Sequence, residues 1–169
     1  FDMAWSPEDA PVKMLLSAGE DRALLWRIDE DSPPLELKPP VDVKPVARHL
    51  KRLAITTPPP EVMRCTWHPS GQRVLTGAGD GKITVWSAND GAPLASLQAS
   101  SNDPADEVYG LECLTNEGLL AAAVSDQVQQ WDLERACKTA ERQLGSASGI
   151  CFGGQDRNPE AKAFVFGLA

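Results

Sequence analysis

The 169-residue chain carries 24 acidic and 16 basic side chains, for a formal net charge of −8, and 42% of its residues are hydrophobic. This length and apolar content suffice for an ordinary domain with a packed core. The acidic balance disfavours direct nucleic-acid binding, although a local basic stretch leaves that option open. No apolar run approaches the ~20 residues that cross a bilayer, so we expect no membrane insertion.

The first predicted unit, residues 1–31, begins with a strand at residues 1–5. Residues 12–18 and 23–28 predict its second and third strands, because apolar runs there lie between turn signals. Its fourth strand is missing from this pattern, and we expect it to be displaced or replaced by an insertion. No charged-then-apolar leader precedes the first strand. We therefore predict no signal peptide and interpret the missing initiator Met as the mark of a fragment or trimmed chain.

Residues 32–60 read as a proline-rich insertion or linker, because they hold eight of the 14 prolines. Proline removes ladder donors and favours an extended, semi-rigid chain. A short part of this segment is basic within an otherwise acidic chain, and we name Lys44, Arg48, Lys51 and Arg52 as possible partner-binding residues. Two interpretations stay open: a solvated linker, or a tether that binds a partner protein or nucleic-acid phosphate.

Residues 61–99 form the clearest unit. They contain four short strand patterns joined by tight turns that are rich in Gly, Pro, Asn and Asp. The predicted strands are residues 62–67, 72–78, 82–87 and 92–97. Four short strands with a tight turn at each junction predict one meander sheet, which is the plan of a propeller blade.

Residues 100–145 repeat this plan, with strands predicted at 108–114, 119–124 and 127–133. A fourth strand at 137–143 is polar, so we expect it at an outer edge. Residues 146–169 predict the start of a further blade.

A short signature recurs once in each unit: an aspartate in a turn, followed by a stretch that ends in tryptophan. The copies are Asp21 to Trp26, Asp80 to Trp86, and Asp126 to Trp131 with Asp132 directly after it. A unit that repeats at roughly 40–50 residues is typical of solenoids and propellers.

On these residues the chain resembles the WD-repeat family of β-propellers. The resemblance implies an all-β fold, a β-propeller of four-stranded antiparallel blades, of which about three to four of a probable seven are present. In the family the turn aspartate joins a buried hydrogen-bond tetrad with a Ser or Thr, a His and the Trp. Ser17 and Thr76 match the hydroxyl position, whereas Ala122 replaces it in the third unit. The family's Gly-His dipeptide is absent, so these blades should depend more on apolar packing.

The first and last blades of such a repeat array need further blades to pack against, because one blade cannot bury both faces of its sheet. Either the chain is part of a larger propeller, or a partner supplies the missing blades.

No candidate site for catalysis stands out in the sequence. The glycine-rich run at residues 77–81 leads into a strand instead of a phosphate-binding helix N-terminus, so a hairpin is favoured. The turn aspartates are about one blade apart and do not pair across a cleft. His68 and Ser70 share one turn and cannot form a nucleophile–base array across a pocket. We therefore predict no enzyme, no cofactor and no metal site.

Four dispersed cysteines, Cys65, Cys113, Cys137 and Cys151, include no Cys-x-x-Cys pair. Buried reduced thiols are favoured over disulfides or metal ligands. A reduced thiol set fits an intracellular protein, either cytoplasmic or nuclear.

The resemblance implies a non-catalytic scaffold that holds other protein subunits in an intracellular multisubunit complex. Docking would use loops near residues 6–10, 87–91 and Arg135, together with the insertion. One alternative is a chromatin or RNA-processing subunit that uses residues 44–52. A second alternative is a propeller enzyme whose site lies outside this segment.

Overall fold

The computed structural model describes residues 2–39, 60–100, 106–114, 119–124 and 127–143. These residues form strands, turns and loops, arranged as three four-stranded antiparallel sheets. The predicted all-β class and four-stranded blades are confirmed. Within the described ranges there is no helix that is long and apolar enough to cross a membrane.

Each sheet is built from four strands that follow one another in the chain. Sheet I contains β1 (Asp2–Trp5), β2 (Met14–Gly19), β3 (Arg22–Arg27) and β4 (Leu35–Leu37). Sheet II contains β5 (Val62–Trp67), β6 (Arg73–Ala78), β7 (Lys82–Ser87) and β8 (Pro93–Gln98). Sheet III contains β9 (Val108–Cys113), β10 (Leu119–Val124), β11 (Gln127–Asp132) and β12 (Cys137–Gln143). In every sheet the spatial order follows the chain order, which is the meander expected of a blade.

The tight turn between β6 and β7 shows why glycine is required there. Gly81 has φ +72°, a left-handed conformation that strains other residues, and its amide donates to the Ala78 carbonyl at 3.2 Å. A Cβ at Gly81 would also lie 2.8 Å from the Ser100 Cβ. The glycine therefore serves both the turn and the close approach of the following linker.

The expectation that the first unit lacks its fourth strand in place is wrong. β4 pairs with β3, placing Leu35 opposite Leu25 and Leu37 opposite Ala23. Leu37 is fully buried, so the apolar–polar–apolar pattern of this short strand supplies the inner residue of a fourth strand. The prediction that 137–143 forms an outer edge is confirmed, because β12 ends the order of sheet III. The further blade predicted from residue 146 lies outside the described residues.

The core lies between the sheets, in two layers. The first layer joins sheets I and II through Met14, Leu16, Leu25, Leu37, Val62, Cys65, Trp67, Val74 and Trp86. The second joins sheets II and III through Leu75, Ile83, Val85, Leu97, Val108, Leu120, Val124 and Trp131. The first strands β1, β5 and β9 are neighbours in this stack. The three sheets therefore form an open series of propeller blades, not a closed ring.

Candidate functional site

The signature tryptophans of sheets I and II bind the hydroxyl of the strand beside them. The Trp86 Nε1–H donates to Thr76 Oγ1 at 2.9 Å, and both residues are buried. The Trp26 Nε1–H donates to Ser17 Oγ at 3.1 Å, at a more exposed position. In both sheets the bond runs from the third strand to the second and holds them in register.

In sheet III the signature tryptophan bonds instead to a residue of its own strand β11, which the sequence reasoning missed. Ala122 has no hydroxyl, and the Trp131 Nε1–H donates instead to Gln129 Oε1 at 3.2 Å. Gln129 lies directly opposite Ala122 in the ladder, is almost completely buried, and donates through Nε2 to the Ala99 carbonyl at 2.9 Å. One amide thus anchors the tryptophan and the linker from sheet II. A long amide side chain at the strand position that Leu24 and Thr84 take in the other two sheets was the available signal.

The described signature aspartates each bond within their own turn. Asp21 forms an ion pair with Arg22 at 2.7 Å, and that hydrogen bond lowers the pKa of the Asp21 carboxyl. Asp80 accepts from the Lys82 amide at 3.2 Å and lies 3.6 Å from the Lys82 ammonium. Asp132 accepts from the Arg135 amide at 2.9 Å. These carboxylates stand on separate sheets, so the structure does not bring them together as an acid–base pair.

Asp126 lies outside the described residues, as do the basic side chains of residues 44–52. Their assignments remain predictions.

A polar groove of about 440 Å³ runs along the first strands β1, β5 and β9. Asp2 Oδ2 accepts from the Cys65 amide at 3.0 Å, and the Arg64 Nε–H donates to the Tyr109 carbonyl at 2.6 Å. Burial, and secondarily the Asp2 charge, raise the pKa of the Glu112 carboxyl in this wall. Two of the groove's charged groups are therefore committed to joining neighbouring sheets.

The outward face of sheet I is largely apolar and is left exposed by the described residues, and we call it the free face. Register places Trp5, Leu15 and Trp26 side by side, and Met3, Ser17 and Leu24 beside them. Met3 is 71% exposed, Trp5 62% and Trp26 39%, whereas the opposite face of the same sheet is buried. A contiguous set of exposed large apolar side chains marks a contact surface.

The loops predicted for docking lie at one end of their sheets, which we call the loop end. Residues 6–13 leave a first strand there, and residues 88–92 and 133–136 leave third strands. The Arg27 Nη2–H donates to the Asn89 carbonyl at 3.0 Å, and Arg73 pairs with Glu134 at 2.6 Å. These two contacts link sheet I to sheet II and sheet II to sheet III, so the loop end is a connected surface.

His68 lies buried in the turn between β5 and β6, at the loop end. Its Nδ1 accepts from the Ser70 amide at 3.1 Å and lies 2.8 Å from Ser70 Oγ. The proton is therefore on Nε2, which is buried and has no hydrogen-bond partner in the described part of the chain. Burial, and then the Arg73 charge, lower the pKa of His68.

Cys65 and Cys113 are buried cysteines, and burial raises the pKa of Cys65 to about 12. Such a thiol is unreactive near neutral pH. Within the described ranges, no group of three or more His, Cys, Asp or Glu side chains is placed to hold a metal ion.

Comparison with known protein families gives one finding for this arrangement. Residues 52–87 match the family model of the WD domain, G-beta repeat, a range that includes β5, β6 and β7. No curated protein matches the chain. The suspected WD repeat is therefore confirmed on the unit that the sequence showed most clearly.

Proposed function

We propose that this chain, a member of the WD-repeat family, is part of a non-catalytic β-propeller scaffold that binds other protein subunits of an intracellular complex. WD repeats are generally scaffolds for protein interaction, and the match at residues 52–87 supports that role here. The proposal includes closure of the open series of sheets into a larger propeller.

The single observation that supports the docking role is that side-chain contacts connect the loop ends of neighbouring sheets. Loops on a rigid framework are the usual carriers of binding, because the framework fixes their positions. Here the Arg27–Asn89 and Arg73–Glu134 contacts fix neighbouring loops relative to one another. Exposed groups such as Glu8 and Arg135 project from those loops. A partner would meet one composite surface formed by three sheets.

The test compares two charge-neutral double variants of the tagged chain. Glu8→Lys with Arg135→Glu changes the loop end, and both side chains are exposed. Glu20→Lys with Lys38→Glu changes exposed residues at the opposite end of sheet I and serves as the matched control. Each protein is purified from its native cells and its stoichiometric companions are quantified by mass spectrometry.

We expect the loop-end variant to lose companion subunits that the control retains. Equal recovery from both variants would reject the loop end as the docking surface. A native mass equal to that of the tagged polypeptide alone, in the unsubstituted protein, would reject the scaffold role itself.

A second candidate function is nucleic-acid association through Lys44, Arg48, Lys51 and Arg52. The observation that favours it is a local positive stretch in a chain of net charge −8. Fluorescence anisotropy with single-stranded RNA and DNA at low salt should then show binding that charge reversal of these four residues removes. Absence of binding by the unsubstituted chain at low salt would dismiss this candidate.

A further inference from the structure

Strand β8 forms the outer edge of sheet II, and no further strand lies beside it among the described residues. The Ala99 amide donates to the Gly81 carbonyl at 2.8 Å, which fixes the hydrogen-bonding phase of the ladder between β7 and β8. Because backbone groups alternate along an antiparallel strand, the N–H and C=O groups of Ser96 and Gln98 point away from β7. The ladder of sheet II therefore leaves these donors and acceptors for an added strand.

The inner edges of sheets II and III, strands β5 and β9, are instead covered by charged side chains. The Asp2 carboxylate accepts from the Cys65 amide at 3.0 Å, and the Arg64 Nε–H donates to the Tyr109 carbonyl at 2.6 Å. Each contact occupies a backbone group that an added strand would need. Charged side chains are a usual protection of a sheet edge against further pairing.

The outer edges of sheets I and III also carry charged residues. Strand β4 is only three residues long, and its central Glu36 pairs with Arg22 at 3.2 Å and with Lys38 at 2.6 Å. The sequence of β12 contains three charged residues, Lys138, Glu141 and Arg142. Strand β8 has six residues and contains no charged one. It is therefore the edge strand with the least protection of this kind.

Two features close only the beginning of β8. Pro93 has no N–H to donate, and a bulge opposite Val85 and Trp86 interrupts the ladder there. Residues 95–98 contain neither feature, and we call them the open edge. Next to them Leu94 is 55% exposed.

Carboxylates lie at both ends of the open edge. Asp90 is exposed in the turn that precedes β8. At the other end the Asp80 carbonyl accepts from Gln98 Nε2 at 3.3 Å, and the Asp106 carboxylate accepts from Ser100 Oγ at 2.9 Å. An uncharged strand therefore lies between two acidic ends.

These carboxylates disfavour a second copy of the chain as the occupant. Antiparallel pairing of β8 with β8 of another copy would bring Asp90 of each chain towards Asp80 and Asp106 of the other. Parallel pairing would bring each carboxylate towards its own counterpart. The Lys82 ammonium, 3.6 Å from Asp80, offsets only part of this charge. Like charges that face one another across an interface weaken it, whereas cations at both ends of an added strand would strengthen it.

We propose that the open edge binds an extended segment of a partner protein by strand addition, and that this segment has an uncharged, β-branched centre with Lys or Arg at both ends. The backbone groups of Ser96 and Gln98 exchange hydrogen bonds with alternate residues of the segment. The flanking cations lie near Asp90 at one end and near Asp80 and Asp106 at the other. This inference goes beyond the proposed function, because the open edge is not part of the loop end.

The test uses the full chain and a synthetic probe peptide with a Thr-Val-Thr-Val centre and two lysines on each side. One matched peptide carries N-methyl groups on its four central amides, so it cannot donate hydrogen bonds there. A second matched peptide has glutamates in place of the lysines. Hydrogen exchange of individual backbone amides is measured across a titration with each peptide.

We expect the lysine peptide to slow exchange of the Ser96 and Gln98 amides. The amides of Ala95 and Leu97 should change little, because the ladder already bonds them to β7. The N-methylated peptide should give no protection. The glutamate peptide should bind at least about tenfold more weakly, because it brings like charges together.

Two variants of the open edge and one control complete the design. Ser96→Pro removes an N–H that sheet II does not use, and it should abolish the protection at Gln98. Ser96→Lys keeps every backbone group of β8 and adds a like charge beside the lysine peptide, so it should weaken binding. It keeps the proposal testable where the proline variant does not fold. Thr139→Lys makes the same charge change at an exposed residue of β12 and should leave binding unchanged.

Three results would overturn the proposal. The first is unchanged exchange at Ser96 and Gln98 throughout the titration with the lysine peptide. The second is equal binding of the lysine and glutamate peptides, which would reject the stated partner chemistry. The third is protection of these amides that rises with the concentration of the chain alone, which would make a second copy the occupant. The companion-subunit experiment changes other residues, so failure here and failure of the scaffold role are distinguishable.

Discussion

Alanine at position 77 should force sheets II and III apart. A Cβ built on Gly77 of β6 would lie 2.5 Å from Val108 Cγ1 and 2.9 Å from Val108 Cβ of β9. Val108 is fully buried, and the 2.9 Å contact is to its Cβ, which no side-chain rotation can move. The strands themselves must move.

The size of the effect follows from two opposing terms. Overpacking a core costs about 1–3 kcal/mol. Replacing a strand glycine by alanine returns about 0.5–1 kcal/mol of chain entropy. Gly77→Ala should therefore lower the free energy of unfolding by up to ~2.5 kcal/mol. Gly19→Ala is the matched control, because nothing lies within 4 Å of a Cβ at that strand-end glycine. It should be neutral or stabilising.

Urea unfolding of the full chain, followed by tryptophan emission, measures the difference between the two variants. The cost at Gly77 should shrink when Val108→Ala is added, because the 2.5 Å contact with Val108 Cγ1 is then gone while only the contact with Cβ remains. Equal midpoints for Gly77→Ala and Gly19→Ala would refute the steric argument. So would a penalty that persists undiminished in the Val108→Ala background.

Three further predictions concern buried polar groups. Gln129→Ala leaves the Trp131 N–H and the Ala99 carbonyl unpaired, so it should cost at least ~2 kcal/mol in urea unfolding. Adding Ala122→Ser should recover part of that loss, and no recovery would contradict the exchange of hydroxyl for amide. Because the pKa of His68 is lowered in the folded chain, the unfolded chain binds more protons as pH falls through about 6.5, and stability should decline there. His68→Asn should remove that component while keeping an acceptor for the Ser70 amide, and an unaltered pH profile would count against it. Cys65, with its pKa near 12, should resist iodoacetamide at pH 8 until urea is added, as read by peptide mass spectrometry; rapid native labelling would show that the thiol is not buried.

Strand periodicity and turn residues were sufficient to predict most of the fold. The strands of sheet II lie close to the predicted ones, because the first three are each followed by a turn that contains glycine or asparagine. β4 escaped prediction because it is only three residues long and lies among prolines. β4 is held in place by the burial of Leu37 in the core between sheets I and II, and a neighbouring sheet cannot be read from the local sequence.

The candidate surfaces were less predictable, because they depend on cross-strand register and on neighbours. The role of Gln129 follows from its place opposite Ala122, which no spacing along the chain reveals. Trp5 and Trp67 read alike in sequence, each followed two residues later by proline. Only the packing of sheet I onto sheet II separates an exposed tryptophan from a buried one.

The position of sheet II between two neighbours has a consequence for how the chain opens. Among the three described sheets, sheet II alone packs against two others, and a repeat unit with more packed neighbours opens less readily. Amide protons of β6 and β7 should exchange last, after those of β2 and β10. A mildly destabilising substitution inside sheet II would then lower the opening free energy of all three sheets. A more destabilising substitution in sheet I would leave the amide protons of sheets II and III protected from exchange.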